Sequence, residues 1–374
     1  MDSSDVGFTF QNKTSDGARS AFHTRQVNPF ETTTPWTVKE ILLFVPMLPV
    51  LIVRLGVLAT AFGLASGFVL LAGVLPKKFQ RTALLPLKGC ARVVLYAFGF
   101  WWLEEEGLEE NSTTEVGIIC AASHSSLLDV FYYSYRWLPS FVAKRDIQNM
   151  PLIGWFAEIL NSVFVDRHAD AKTKAEYKAR IEDIAEDAKA PPVLIFPEGT
   201  CTNGKSLITF KRGGFEPGVK LLPVCMQYDS DMNPASVGRN SDVLFLLRVM
   251  MQWNNKLRVQ VLPVYTPTEE EKEDPILFAE NVQILMGEAM GIPKTRHSLA
   301  DMFFYQQVVD KELPDKIFQF IFADLYEYFL LRDREERREF RKLLMRLLDK
   351  WAWVDQNNDG NISRAEFLNC AQHA

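Results

Sequence analysis

One stretch of this chain sets the terms for the rest. From Ile41 to Leu75 the only charged residue is Arg54, and Leu55–Leu75 is a charge-free run of 21 residues. As a helix that run is ~32 Å long, enough to cross the hydrocarbon core of a bilayer. The preceding Ile41–Val53 has 13 residues and carries Pro46 and Pro49; it reads as too short to span and as broken by its prolines. A signal peptide does not fit, because the run starts 40 residues in and lacks a cleavage site of small residues. A core helix of a soluble protein does not fit either, since no polar face exists. The expectation is a membrane anchor over residues 41–75, with a true span and a re-entrant hairpin both open. Lys77, Lys78, Arg81, Lys88 and Arg92 follow it and favour a cytosolic position for everything downstream.

The chain has 374 residues and a formal charge of −6, with 48% hydrophobic and 24% charged residues. That excludes wholesale disorder and argues against a dedicated nucleic-acid binder. The five cysteines, at 90, 120, 201, 225 and 370, form no CxxC pair, so neither a disulfide framework nor a cysteine zinc site is expected. Residues 1–40 are polar and without periodicity, and read as a disordered tail.

Beyond the anchor, Leu84–Leu103 is apolar and aromatic and ends in Trp101 and Trp102, as suits a membrane interface. Short apolar runs then alternate with helical stretches. Strands are predicted at Val116–Ala122, Phe141–Lys144, Ser162–Val165, Val193–Phe196, Leu221–Gln227 and Val259–Val264. Helices are predicted at Leu127–Leu138, Leu152–Leu160, Ala169–Lys189, Asp242–Trp253 and Pro275–Met290. This alternation implies an α/β layer fold. Residues 315–374 read as helical.

Four constellations could carry chemistry. In Ser123-His124-Ser125-Ser126-Leu127-Leu128-Asp129, a histidine falls in a strand-to-helix turn, and the serines suit a helix N-cap. Asp129, one turn on, leans back toward the imidazole. Such a pair suits proton removal from a substrate hydroxyl. In Phe196-Pro197-Glu198-Gly199-Thr200-Cys201 an apolar strand delivers an acid and hydroxyls to one loop, where open α/β sheets bind ligands. Gly199–Ser206 also fits the Walker A string, but no long helix is expected after it, because Leu207–Phe210 is followed by Gly213-Gly214. In Val163-Phe164-Val165-Asp166-Arg167 a strand ends in a guanidinium fork suited to phosphate, and Lys144 can share that basic rim. Finally, Asp355, Asn357, Asp359, Asn361, Ser363 and Glu366, with Gly360 at the sixth position, meet every ligand position of a twelve-residue EF-hand loop for Ca²⁺. No second loop is visible, so this hand is expected to pair with another chain or dock elsewhere.

Together these residues resemble the glycerolipid acyltransferases that carry an H-x-x-x-x-D motif. The matching blocks are His124–Asp129, Phe164–Arg167, Phe196–Thr200 and the strand Leu221–Val224. Within that family, Phe196–Phe210 and Leu262–Lys272 resemble the lysophosphatidylcholine acyltransferases, which also carry an N-terminal membrane helix and C-terminal EF-hands. Cys201 and Asn161 stand where many members have Arg and Gly. The resemblance implies an acyl-CoA-dependent transfer to the free hydroxyl of a lysophospholipid, with His124 as general base and Asp129 orienting it. Arg167, Glu198, Gly199 and Thr200, with Lys144 at the rim, are then implied as the acceptor-phosphate pocket. The implied fold over residues 84–300 is α/β, a mixed central sheet flanked by helices, and no catalytic cofactor is implied. The bilayer is the implied partner, and the implied location is the endoplasmic reticulum membrane, a lipid droplet or the Golgi, with the site facing the cytosol. Glycerol-3-phosphate or lysophosphatidate as acceptor stays open, as does an inactive Ca²⁺-responsive membrane adaptor. Cys201 as a covalent nucleophile has no histidine at an obvious spacing.

Overall fold

The computed structural model describes residues 28–31, 36–108, 116–150, 153–166, 169–187, 190–229 and 243–311. The chain divides into two compact units, Pro29–Phe303 and a second formed by Met1–Asn28 with Phe304–Ala374. Arg167 and the EF-hand loop 355–366 lie outside the described residues, as does the rest of the helical stretch expected over 315–374.

Chain order opens with three helices, α1 (Val38–Val74), α2 (Lys77–Leu84) and α3 (Leu87–Ala97). An alternating series follows: β1 (Leu103–Glu106), β2 (Ile118–Ala122), α4 (Leu128–Arg136), β3 (Ser140–Lys144), α5 (Arg145–Gln148), α6 (Ile153–Ile159), β4 (Val163–Val165), α7 (Ala171–Glu186) and β5 (Val193–Ile195). Then come β6 (Leu221–Asp229), α8 (Val243–Met251), β7 (Lys256–Val261), α9 (Glu269–Glu273), α10 (Pro275–Met290) and α11 (Leu299–Asp310). The seven strands form one sheet in the order β1-β7-β6-β2-β5-β3-β4. All neighbours pair in parallel except β6 with β7. The helices on both faces of the sheet are what the strand–helix alternation implies, and the antiparallel β6–β7 pair makes the sheet mixed.

The core lies on both faces of this sheet. One layer joins Ile119, Ala121, Leu222, Val224 and Met226 to helix residues such as Val94, Leu128, Tyr132, Tyr133 and Val249. The other joins Ile118, Cys120, Cys225 and Val193 to Ile181, Ile184, Phe278 and Val282. Strand β2 is therefore buried at every residue, as a central parallel strand must be when helices cover both sides. Strand β1 alternates exposure along Leu103–Glu106. Its three consecutive glutamates hide it from a hydrophobicity reading, yet Glu104 pairs across with Arg258 at 3.2 Å. Strand β7 begins at Lys256 and ends at Val261, earlier than the sequence reading. Lys256–Val261 alternates exposed and buried positions, and Pro263 beyond it has no N–H to offer a ladder.

The N-terminal region departs most from expectation. Residues 38–74 form one helix that passes through Pro46 and Pro49. Each proline removes one backbone donor, but the segment is fixed on both sides. A capping box between Thr37 and Glu40 sets its start. Glu40 and Arg248 form a buried ion pair at 3.0 Å, with the Arg248 guanidinium 4.5 Å from the Trp36 ring. After the prolines, Arg54 donates to the carbonyls of Met250, Gln252 and Trp253 at 2.5–2.9 Å. The single charge of the apolar run thus caps the C-terminal end of α8, where carbonyls lack helical partners. The expected tail also contains ordered residues: Pro29 and Glu31 carbonyls accept from Asn203 at 2.8 and 2.9 Å.

The buried residues of α1 are Glu40, Met47, Arg54, Ala61, Val69 and Ala72, a narrow stripe that starts at seven-residue spacing. At its far end, a Cβ on Gly73 would fall 1.8 Å from the Trp155 ring, so only glycine lets α6 close there. Away from the stripe the helix is bare hydrocarbon, with Leu42, Val45 and Ile52 at least 70% exposed. By length and composition α1 is able to cross a membrane, but it lies in the same unit as the sheet and is held along its length.

This junction has a measurable signature. Glu40→Gln removes a buried charged partner of Arg248, a loss of ~3–5 kcal/mol for a pair of this kind. Glu40→Asp keeps the charge and should lose less. Thermal unfolding of the detergent-solubilised variants checks this. A Glu40→Asp variant no more stable than Glu40→Gln contradicts it.

Candidate active site

Three of the parallel strands, β2, β5 and β3, end on the same edge of the sheet, and their following loops meet there. The loop after β2 begins at Ser123 and the loop after β5 at Phe196. Because β2 and β5 are direct neighbours, Cys120 opposite Ile195, the two loops meet within a few residues. The link is dense. The Glu198 carboxylate accepts from the His124 N–H at 2.9 Å, the Thr202 N–H donates to the His124 carbonyl at 2.9 Å, and Ser123 and Ser125 share a hydroxyl hydrogen bond at 2.8 Å.

Asp129 sits in the first turn of α4 and is wholly buried. Its Oδ2 accepts from His124 Nδ1 at 2.8 Å and from the Ser125 and Ser126 N–H groups at 3.0 and 3.2 Å. Its Oδ1 accepts from the Tyr228 hydroxyl at 2.5 Å. The serines were expected to cap α4, and the Ser126 hydroxyl accepts from the Leu128 N–H at 3.2 Å, while Asp129 reaches back to the serine backbone. Four donors thus satisfy one carboxylate that has no exposure to water.

With Nδ1 directed at Asp129, the His124 tautomer that leaves Nε2 free of a proton is set by its partner. The imidazole stacks on Phe196 at 3.9 Å and 19°, and 17% of its side chain remains exposed. Cys201 Sγ lies 3.4 Å from Nε2. Sequence spacing gave Cys201 no histidine; the fold supplies one from 77 residues away through the neighbouring strand. Burial pulls the imidazole down, but the hydrogen bonds and charges of Asp129 and Cys201 outweigh it and push it up to about 10.

Glu198 is also wholly buried. Its second oxygen faces the Ile208 N–H at 3.4 Å, so both oxygens are turned to loop backbone and away from the open side of His124. Burial drives its carboxyl up to about 7, against the opposing pull of the His124 and Ile208 amides. Gly199 takes φ +68°, the left-handed region that favours glycine. The Thr200 hydroxyl contacts Met302 Sδ at 2.8 Å.

Lys144 is exposed at the end of β3 and stands in register with Val165 of β4. Asn161 precedes β4 at φ +60°. That explains why either Gly or Asn serves there, since both tolerate the left-handed region. No long helix follows Gly199–Ser206, only a 3₁₀ turn at Arg212–Gly214, so the Walker-like string lacks the helix that a phosphate loop needs. Among the described residues no group of three or more His, Cys, Asp or Glu is arranged to hold a metal ion.

Sequence reasoning missed Phe196 and Tyr228 as partners of the pair. Tyr228 had a faint signal: Val224, Met226 and Tyr228 alternate onto the sheet face that packs α4.

The electrostatics predict a titration. The His124 imidazole, followed by NMR of labelled histidine, should have its midpoint near 10. In Asp129→Asn the midpoint should fall far below that, because burial is then opposed by Cys201 alone. A wild-type midpoint near the ordinary value of about 6.5 contradicts this.

Residues 105–227 match the family model described as Acyltransferase. A lysophospholipid acyltransferase of Arabidopsis thaliana is 32% identical over 60% of this chain and 63% of its own length. Lysophosphatidylcholine acyltransferase 1 of Danio rerio is 33% identical over 71% of this chain and 53% of its own. A solved 1-acyl-sn-glycerophosphate acyltransferase from Thermotoga maritima is similar at a TM-score of 0.46, with 19% identity over 64% of this chain and 95% of that one. The chain spans between 40% and 63% of the length of these and the other curated relatives that it matches. The stretch similar to the Acyltransferase family runs from within β1 to the residue before Tyr228, and takes in both loops that meet at His124.

Proposed function

We propose that this protein is an acyl-CoA:lysophospholipid O-acyltransferase. The observation that carries the reading is the His124–Asp129 pair, 2.8 Å apart and fed by both loops, in a stretch similar to the Acyltransferase family. The lysolipid hydroxyl gives its proton to His124 Nε2 as its oxygen attacks the thioester carbon. Asp129 stabilises the imidazolium that forms, and His124 then returns the proton to the departing CoA thiolate. Removing such a base lowers the rate ~10²–10⁴-fold.

In this reading the acceptor hydroxyl takes the place at Nε2 where Cys201 now stands. Losing the Cys201 contact lowers the proton affinity of His124 and returns it toward the neutral form that a base requires. Glu198 holds the His124 backbone in place. The acceptor phosphate is assigned to the rim that carries Lys144, Thr200 and Arg167. The bare face of α1 is assigned to the bilayer, which keeps the acyl chains of both substrates in lipid. The endoplasmic reticulum, with the site toward the cytosol, is the membrane that this chemistry suits. The loop 355–366 is proposed to bind Ca²⁺ in a regulatory or structural role.

The 3.4 Å contact of Cys201 with Nε2 favours one second reading, a covalent route. In it the cysteine proton passes to His124, the thiolate takes the acyl group from CoA, and the lysolipid then takes it from Cys201. Both readings are tested together by incubating the membrane-bound protein with mixed lysolipids and mixed acyl-CoAs and identifying products by mass spectrometry. Direct transfer predicts diacyl products that vanish in His124→Ala and persist at most of the wild-type rate in Cys201→Ala. An acyl adduct on intact protein without acceptor, lost in Cys201→Ala along with turnover, establishes the covalent route. No acylated lipid with any acceptor refutes the function.

Calcium is a separate test. Calorimetry on the full chain should give a heat of Ca²⁺ binding that Glu366→Gln weakens strongly, because the last loop position closes the coordination sphere bidentately. Activity is expected to persist in chelator. No heat at millimolar Ca²⁺, within the range of the weaker hands, refutes the site.

A further inference from the structure

We propose that Tyr228 is a positioning residue that tunes the basicity of His124 through Asp129. The inference rests on the reading of His124 as the base. Tyr228 lies one residue beyond the stretch that matches the family model, and no motif in the sequence points to it.

The geometry is specific. Tyr228 sits near the end of β6, and its ring meets Phe100 edge-on at 5.7 Å. Its hydroxyl donates to Asp129 Oδ1 at 2.5 Å, while Oδ2 serves His124 and two backbone amides. The phenol itself stays protonated: burial and the Asp129 charge drive it well above its ordinary range. It is therefore a fixed donor at any working pH. A donor on one carboxylate oxygen draws negative charge away from the other, so the imidazolium is held less tightly. Without it, Asp129 keeps its charge, with the amides and His124 still in place, but directs more of it at the imidazole.

The remaining groups around the pair do not duplicate this effect. Cys201 touches Nε2 and acts on His124 directly. Glu198 meets the His124 backbone N–H. The Tyr133 hydroxyl points to the Val224 carbonyl at 3.5 Å, and Phe196 contributes an apolar stack. Among the described bonds, Tyr228 is the one side-chain hydroxyl on Asp129.

Tyr228→Phe removes the donor and keeps the ring. The expected result is a His124 midpoint raised by roughly one unit, a tenfold fall in its neutral fraction. The turnover number should drop below that midpoint, with the KM values for lysolipid and acyl-CoA unchanged. Site-specific 3-fluorotyrosine at position 228 gives a more acidic phenol and a stronger donor, and the midpoint should move down. The NMR arm needs no activity, so it tests Tyr228 even where acyl transfer fails. Opposite shifts in the two variants support the proposal. An unmoved midpoint in both, or shifts of the same sign, overturns it, since a merely structural tyrosine has no means of moving the midpoint in two directions.

Discussion

The site depends on satisfying a carboxylate where water does not reach. Asp129 has no exposure, and an unpaired anion there would cost several kcal/mol and take up a proton instead. Its four donors come from two parts of the fold: the loop after β2, which gives the His124 ring and two backbone amides, and a tyrosine of β6. Each donor is placed by something larger. The loop amides depend on where β2 stops, and the tyrosine depends on β6 pairing with β2, where Ala122 stands opposite Cys225. The carboxylate is thus a checkpoint for the assembly. If the sheet slipped its register, the anion would lose its partners.

A second buried carboxylate answers the first. Glu198 comes from the neighbouring strand and fastens the backbone of His124, while Asp129 fastens its ring. Held at both main chain and side chain, and stacked on Phe196, the imidazole keeps one orientation. The two acids also differ in kind. Asp129 accepts from four donors, one of them the imidazole nitrogen. Glu198 accepts from two amides, and burial drives it to about 7 against the pull of those amides and of the His124 charge.

The strand–helix alternation was legible because central strands are continuous apolar runs, and α10 was bounded correctly at Pro275 and Met290 by its proline and the following Gly291. The His124–Asp129 contact followed from spacing alone, since one turn of helix returns a side chain to the preceding loop. Other features were hidden for physical reasons. Strand β1 is an edge strand of glutamates, so polarity masked it. The two prolines in α1 looked like a break because a local rule cannot see Glu40 and Arg54 bound to α8 on either side of them. Cys201 and Tyr228 converge on the pair only through sheet pairing, and sequence distance carries no trace of which strands will be neighbours.

The stripe on α1 has a consequence for how such a molecule meets its substrates. A helix held at both ends to the globular body, and apolar on its outer side, leaves the body no freedom to tumble once that side is dissolved in lipid. The site then rides at a fixed height above a two-dimensional solvent. For the acyl transfer proposed above, encounter with a lipid would become a matter of how crowded the surface is, so turnover would follow the mole fraction of acceptor in the membrane and be indifferent to how much water surrounds it.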